Sequence, residues 1–117
     1  MSDKTWKRFE RNVSDYFNTY RNPLSSRFSR HDTESDTLHP HLYIEAKRDR
    51  KYFPRIIRDL IDDVRKCAKK EKKTPVIALK MHDKRGFFLL IHSSDLTKVA
   101  AEHLHRNLKK LYPTEDI

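Results

Sequence analysis

Glu45-Ala46-Lys47 closes a short apolar run, His41-Leu42-Tyr43-Ile44, and Asp36 stands nine residues before Glu45. Side chains alternate along an extended strand, so Glu45 and Lys47 share one face while Ile44 and Ala46 share the other. A hairpin turning at His39-Pro40 brings the Asp36 carboxylate beside that of Glu45. Two carboxylates and a lysine at one strand end suit a hard divalent cation with a charge stabiliser next to it. That is the minimal equipment for hydrolysing a phosphodiester. The plain competitor is a solvated strand face, since the chain is 37% charged.

The elements that must position these groups are legible in the hydropathy pattern. Trp6, Phe9, Val13, Tyr16, Phe17 and Tyr20 recur at helical spacing and predict a first helix over about residues 4 to 19, with Asn22-Pro23 marking its exit. A short strand is expected near Leu24 to Ser29, a second from Asp36 to Leu38 and a third from Leu42 to Lys47. Residues 54 to 71 form the clearest helix, with Ile56, Ile57, Leu60, Ile61, Val64, Cys67 and Ala68 along one stripe and Pro54 in its first turn. Cys67 reads as a small buried hydrophobe there. Val76-Ile77-Ala78-Leu79 reads as a strand buried on both faces, and Phe87 to Ile91 as another. Ser93 or Ser94 caps a last helix with Asp95 in its first turn, fraying from about Asn107. The order is αβββαββα, an α/β domain spanning 1–117 with a central mixed five-stranded sheet flanked by helices. The first helix packs on that sheet through its aromatic stripe. Glu10, at the edge of the stripe, is thereby carried toward Asp36 and Glu45; otherwise it pairs on the helix surface with Lys7 or Arg11.

Composition narrows the function. The formal net charge is +9, which points to a polyanionic partner and above all to nucleic acid. One glycine, Gly86, rules out glycine-rich phosphate loops and with them a nucleotide cofactor. A single cysteine allows no internal disulfide and, with no paired-cysteine motif near His31, His39 and His41, argues against structural zinc. No apolar run approaches the roughly 20 residues that span a bilayer, and Met1-Ser2-Asp3-Lys4 is not organised as a secretory leader. The expected location is the bacterial cytoplasm, or the host cytoplasm for a phage-encoded protein.

Helix-borne Glu10, then Ser35-Asp36, then Ile44-Glu45-Ala46-Lys47 resembles the PD-(D/E)XK nuclease superfamily. Within it, Arg21-Asn22-Pro23-Leu24-Ser25-Ser26 and the run His39 to Lys47 are similar to archaeal-type Holliday-junction resolvases and their phage relatives. The resemblance covers about residues 5 to 92 and departs from the pattern in having Ser-Asp for Pro-Asp. It implies a restriction-endonuclease-like core in which Asp36 and Glu45 bind Mg²⁺ (Mn²⁺ substituting), with the Ala46 carbonyl as a further ligand. Glu10 would complete the metal site, and Lys47 would position or activate the attacking water. Ser25 or Ser26, less readily Ser29, would touch the scissile phosphate. The resemblance also implies a homodimer that cuts a four-way junction in pairs.

Two basic segments flank the proposed strand end: Arg21, Arg27 and Arg30 before it, and Arg48, Arg50 and Lys51 after it, with Arg55 and Arg58 on the next helix. Together they suit a phosphate track without base readout. A further run, Arg65-Lys66, Lys69-Lys70 and Lys72-Lys73, is equally well read as a solvated helix end. The favoured expectation is a metal-dependent, structure-selective DNA endonuclease. A nicking or flap nuclease of the same chemistry and a non-catalytic, basic nucleic-acid-binding protein are the alternatives.

Overall fold

Asn18 stops the first helix. The computed structural model describes residues 2–23 and 34–111, and in it α1 runs Ser2–Tyr16. Asn18 then adopts the left-handed conformation at φ 55°. Its N–H donates to Asp15 O at 3.1 Å and that of Thr19 to Ser14 O at 2.9 Å, the two bonds of a Schellman stop. Asparagine tolerates that backbone better than most residues, so the helix ends before the Asn22-Pro23 signal is reached. The aromatic stripe is only partly covered, with Phe9, Val13 and Phe17 half-buried. Trp6 and Tyr16 are exposed, whereas Glu10 and Ser14, one turn apart, are buried. Ser14 Oγ donates back to Glu10 O at 2.9 Å.

The expected five-stranded mixed sheet, and with it the restriction-endonuclease-like core, is not what the chain forms. The fold is small and α-rich: the described residues make three α-helices and one two-stranded antiparallel sheet. The segments around Asp36 and Glu45 do approach one another, but not as a ladder. Arg21 and Thr37 make an isolated antiparallel bridge, flanked by Asn22 N–H to Asp36 O and Leu38 N–H to Tyr20 O, both 2.9 Å. On the other side Asp36 N–H meets Ile44 O at 2.8 Å. Side chains then take the remaining partners. Ser35 Oγ donates to Ile44 O and accepts from Ile44 N, while Asp36 Oδ2 accepts from Ala46 N. Such local side-chain bonds compete with the backbone ladder and explain why 42–48 forms no strand. The strand expected near Leu24 to Ser29 lies outside the described residues.

The chain divides into two units, Met1–Phe53 and Pro54–Ile117. In the second, α2 occupies Arg55–Glu71, with Pro54 as its cap rather than its first helical residue. Pro54 O accepts from Ile57 N and Arg58 N. Cys67 is exposed, not buried, and no described residue of α2 is fully buried. β1 (Ile77–Leu79) pairs with β2 (Phe88–Leu90) in the register Ile77↔Leu90, Ala78↔Leu89, Leu79↔Phe88. Gly86, at φ 75°, supplies the left-handed residue in the connecting loop. The expectation that Val76 to Leu79 is buried on both faces fails: Ile77 and Leu79 are half-buried on one face, and Val76 and Ala78 are exposed on the other. Phe87 and Phe88 are each 65% exposed and Leu89 53%. A 3₁₀ turn, Ser93–Asp95, leads into α3, Leu96–Leu111. The expected serine cap is replaced by His92, whose Nδ1 accepts from Ser94 N at 3.1 Å.

α2 stops on Lys72 at φ 57°, ψ 43°, with Lys72 N–H to Lys69 O and Lys73 N–H to Ala68 O completing another Schellman stop. A β-carbon in that conformation costs about 1 kcal/mol. Lys72→Gly should therefore raise the thermal midpoint by roughly 4 °C, read by circular dichroism. A lower midpoint would mean that the lysine side chain contributes more than its backbone strain removes.

Candidate active site

Two chain segments, one at Asn22 and one at Ile44 to Ala46, fix Asp36. Its N–H and C=O are bonded to Ile44 and Asn22, its Oδ2 accepts from Ala46 N at 2.6 Å, and the residue is 7% exposed. Ser35, immediately before it, accepts from Thr37 N as well as bonding both backbone polar groups of Ile44. Proline at that position has no such hydroxyl. The serine that departs from the family pattern thus holds the Asp36 segment against the Glu45 segment. Nothing in the sequence singled it out except its place before Asp36.

Along 43–47 burial alternates: Tyr43, Glu45 and Lys47 are exposed, Ile44 is half-buried and Ala46 is buried. Glu45 and Lys47 consequently meet on one face, Oε2 to Nζ 3.0 Å. That hydrogen bond and the Glu45 charge hold the Lys47 ammonium pKa above its ordinary 10.5; the Tyr52 phenol and then the Asp36 carboxylate add to the effect against a small desolvation. The Tyr52 ring centroid lies 5.7 Å from Lys47 Nζ and 5.4 Å from Lys51 Nζ, within cation–π range. Lys47 therefore stays protonated through the neutral range. Paired with Glu45, it can stabilise negative charge or orient a water.

This fixes a pH signature. A raised folded-state pKa makes the ion pair's contribution fully present below the unfolded lysine value and lost only as pH climbs through the folded one. Between pH 6 and 9 Lys47 should not titrate at all. Its amine midpoint, followed by NMR of the ε-methylene, should lie above 10.5 and fall in Glu45→Gln. An unchanged midpoint in the variant would exclude Glu45 as the cause.

Glu10 is 4% exposed and its Oε1 accepts from Arg21 Nε at 2.5 Å. Arg21 is the bridge partner of Thr37, next to Asp36. The helix glutamate is thus connected to the Asp36 segment through an arginine, rather than to Lys7 or Arg11 on its own helix. Arg21, expected on DNA, has its Nε engaged by Glu10 instead. Among the described residues, no three His, Cys, Asp or Glu side chains gather so as to hold a metal ion. Each expected acidic ligand has a protein partner: Glu10 has Arg21, Asp36 has Ala46 N–H and Glu45 has Lys47.

The donors of Asp36 and Glu45 are nonetheless hard oxygens of the kind Mg²⁺ takes. Glu45 and Lys47 are both about half exposed, and solvent screens such a pair strongly. By the chemistry of their donors Asp36 and Glu45 would hold such an ion, whereas Glu10, paired with Arg21, does not join them. Of the histidines near the site, His39 uses Nδ1 to accept from His41 N and Leu42 N at 3.0 Å each, which caps the turn.

Of the basic candidates, Arg48 and Lys51 are exposed in the same unit, while Arg55 is in the second unit with Asp59 Oδ2 at 3.7 Å. Ser25, Ser26, Arg27, Arg30 and His31 lie outside the described residues, as does the side chain of Arg50. Comparisons of the chain with protein-family models, with curated proteins and with solved structures found no match in any of the three. Among the described residues no helix is long and apolar enough to cross a membrane.

Proposed function

We propose that the chain is a metal-dependent, structure-selective DNA endonuclease of the cytoplasm that cuts branched DNA, with the four-way junction as its substrate. The observation that carries this reading is the Lys47 ammonium. It is hydrogen-bonded to Glu45 and lies in the field of Asp36, with Ala46 bonded to Asp36 between them. Two carboxylates and a permanent cation in one neighbourhood match the charges of phosphodiester hydrolysis, and the net charge of +9 favours a polyanionic substrate.

In this reading Asp36, Glu45 and the carbonyl of Ala46 hold Mg²⁺, with Mn²⁺ serving in its place. The bound ion supplies a water of lowered pKa and neutralises charge on the phosphate. Lys47, freed from Glu45, turns its ammonium to the phosphate oxygens. Arg48 and Lys51 hold the flanking backbone, and Tyr52 limits the directions that both lysines can take. Ser35 keeps the Asp36 and Glu45 segments together, and Arg21 ties the first to Glu10. Paired cuts need two copies, and the exposed Phe87, just before β2, with Phe88 and Leu89 on it, offers the apolar surface for a two-fold dimer.

The deciding experiment incubates the purified protein with a synthetic four-way junction, a flap and a plain duplex. With Mg²⁺, paired nicks should appear in the junction and none in EDTA, and the protein should sediment as a dimer at micromolar concentration. Cutting of flaps alone by a monomer favours the nicking alternative. No cutting of any branched substrate with any divalent metal leaves a basic binding protein.

A further inference from the structure

The second unit carries a concavity of about 630 Å³ into which Arg65, Lys66, Lys69 and Lys73 converge, with Asp62 and Asp95 also on its lining. A solvated helix end spreads its cations outward, favoured by the helix dipole; these four share one hollow. The left-handed turn at Lys72 is the reason, since it reverses the chain and brings Lys73 back alongside the last helical turn. Among the described residues Arg65, Lys66 and Lys69 have no carboxylate within 4.0 Å, and Lys73 has an exposed pair with Glu71 at 3.0 Å. The four cations outnumber the two carboxylates on the same lining, and the excess positive charge favours an anion among them. The opening is wide and its lining is mostly charged, which suits a chain of phosphates better than a small apolar ligand.

Arg65 and Lys69 are four residues apart, about 6 Å along the helix axis, in which one DNA strand presents about two phosphates. We infer that this hollow binds the phosphodiester backbone of DNA as a contact separate from the Asp36 site. The assignment rests on the nuclease reading only in taking DNA as the partner. Asp62 and Asp95 sharpen it, because each acidic group on the lining opposes a polyanion and should weaken binding by its presence.

Fluorescence anisotropy in EDTA, with a labelled junction and a duplex at 50 to 200 mM salt, tests the assignment. In Arg65→Gln/Lys66→Gln/Lys69→Gln/Lys73→Gln the slope of log K against log salt should shrink by about 0.9 for each engaged cation, up to about 3.6. Affinity should drop about tenfold or more, equally for unrelated sequences. Asp62→Asn/Asp95→Asn should bind more tightly, and this arm decides should circular dichroism show the quadruple variant unfolded. Unchanged slopes, or no gain on removing the two acids, overturn the assignment. So does tripolyphosphate binding that matches DNA in strength and is lost in the quadruple variant, which makes the occupant a free polyphosphate. The two proposals fail separately. A wild type that cuts while the slopes stay fixed sinks only this one, and slopes that move in a protein unable to cut sink only the other.

Discussion

Asp36→Asn should abolish Mg²⁺-dependent cleavage while leaving DNA binding intact or tighter. The substituted amide retains an oxygen that can accept from Ala46 N, and the backbone bonds of this position to Ile44 and Asn22 do not involve the side chain. The fold around it should survive. What disappears is one of two carboxylate charges available to a divalent ion. Charge stabilisation by such an ion is worth several kcal/mol, and at 1.36 kcal/mol per tenfold the expected loss is about a hundredfold to ten-thousandfold in single-turnover rate. Removing a negative charge beside the phosphate path also lowers the repulsion of DNA, so the dissociation constant should hold or fall. Asp36→Ala is the contrasting variant. It leaves Ala46 N–H buried without its partner, at a cost of about 1–3 kcal/mol, so it should lose stability as well as activity. Full activity in Asp36→Asn would remove this carboxylate from the chemistry and the nuclease reading with it.

Lys47 separates from Asp36 in kind. Its exposed ammonium is not needed to fold the site, and the Glu45 carboxylate beside it holds its pKa above the ordinary lysine value.

Helix period and charge alternation were readable from the chain; the bonding between segments was not. The stripe from Ile57 to Ala68 gives α2 its span, and the two apolar runs around Gly86 give the β1–β2 hairpin. The helix stops were hidden, because with a single glycine in the chain the left-handed positions fall on Asn18 and Lys72, and a lysine carries no stop signal. The sheet was over-read for a different reason. Apolar runs such as Leu42 to Ile44 report that a segment favours extension, but not whether its N–H groups find backbone or side-chain acceptors. Here Ser35 and Asp36 supply those acceptors, and a five-stranded ladder does not form. The same limit applies to the site. Alternation put Glu45 and Lys47 on one face, a local property, whereas the capture of Glu10 by Arg21 depends on how α1 lies against the segment after it.

That capture makes Glu10 a positioning residue, and its variants should say so. The Glu10 side chain is 5% exposed and that of Arg21 21%. Breaking a buried pair costs about 3–5 kcal/mol, and the partial exposure of Arg21 reduces this to about 2–3 kcal/mol for Glu10→Ala. Against a typical total of about 5–15 kcal/mol, that is enough to loosen α1 from the Arg21–Thr37 bridge at moderate temperature. Glu10→Gln keeps an oxygen for Arg21 Nε and loses only the charge, so it should fall between wild type and alanine. Arg21→Lys should be nearly as harmful as Arg21→Ala, because a point ammonium does not reproduce the guanidinium geometry. A double-mutant cycle on Glu10→Ala and Arg21→Ala should give a coupling of about 2 kcal/mol. Cleavage distinguishes the two roles open to this residue. As an anchor, Glu10→Gln assayed at low temperature, where it is folded, should cut within about threefold of wild type while its thermal midpoint drops. A hundredfold loss of cleavage at an unchanged midpoint would instead make Glu10 a metal ligand, as the family resemblance implies, and would require Arg21 to release it when the ion binds.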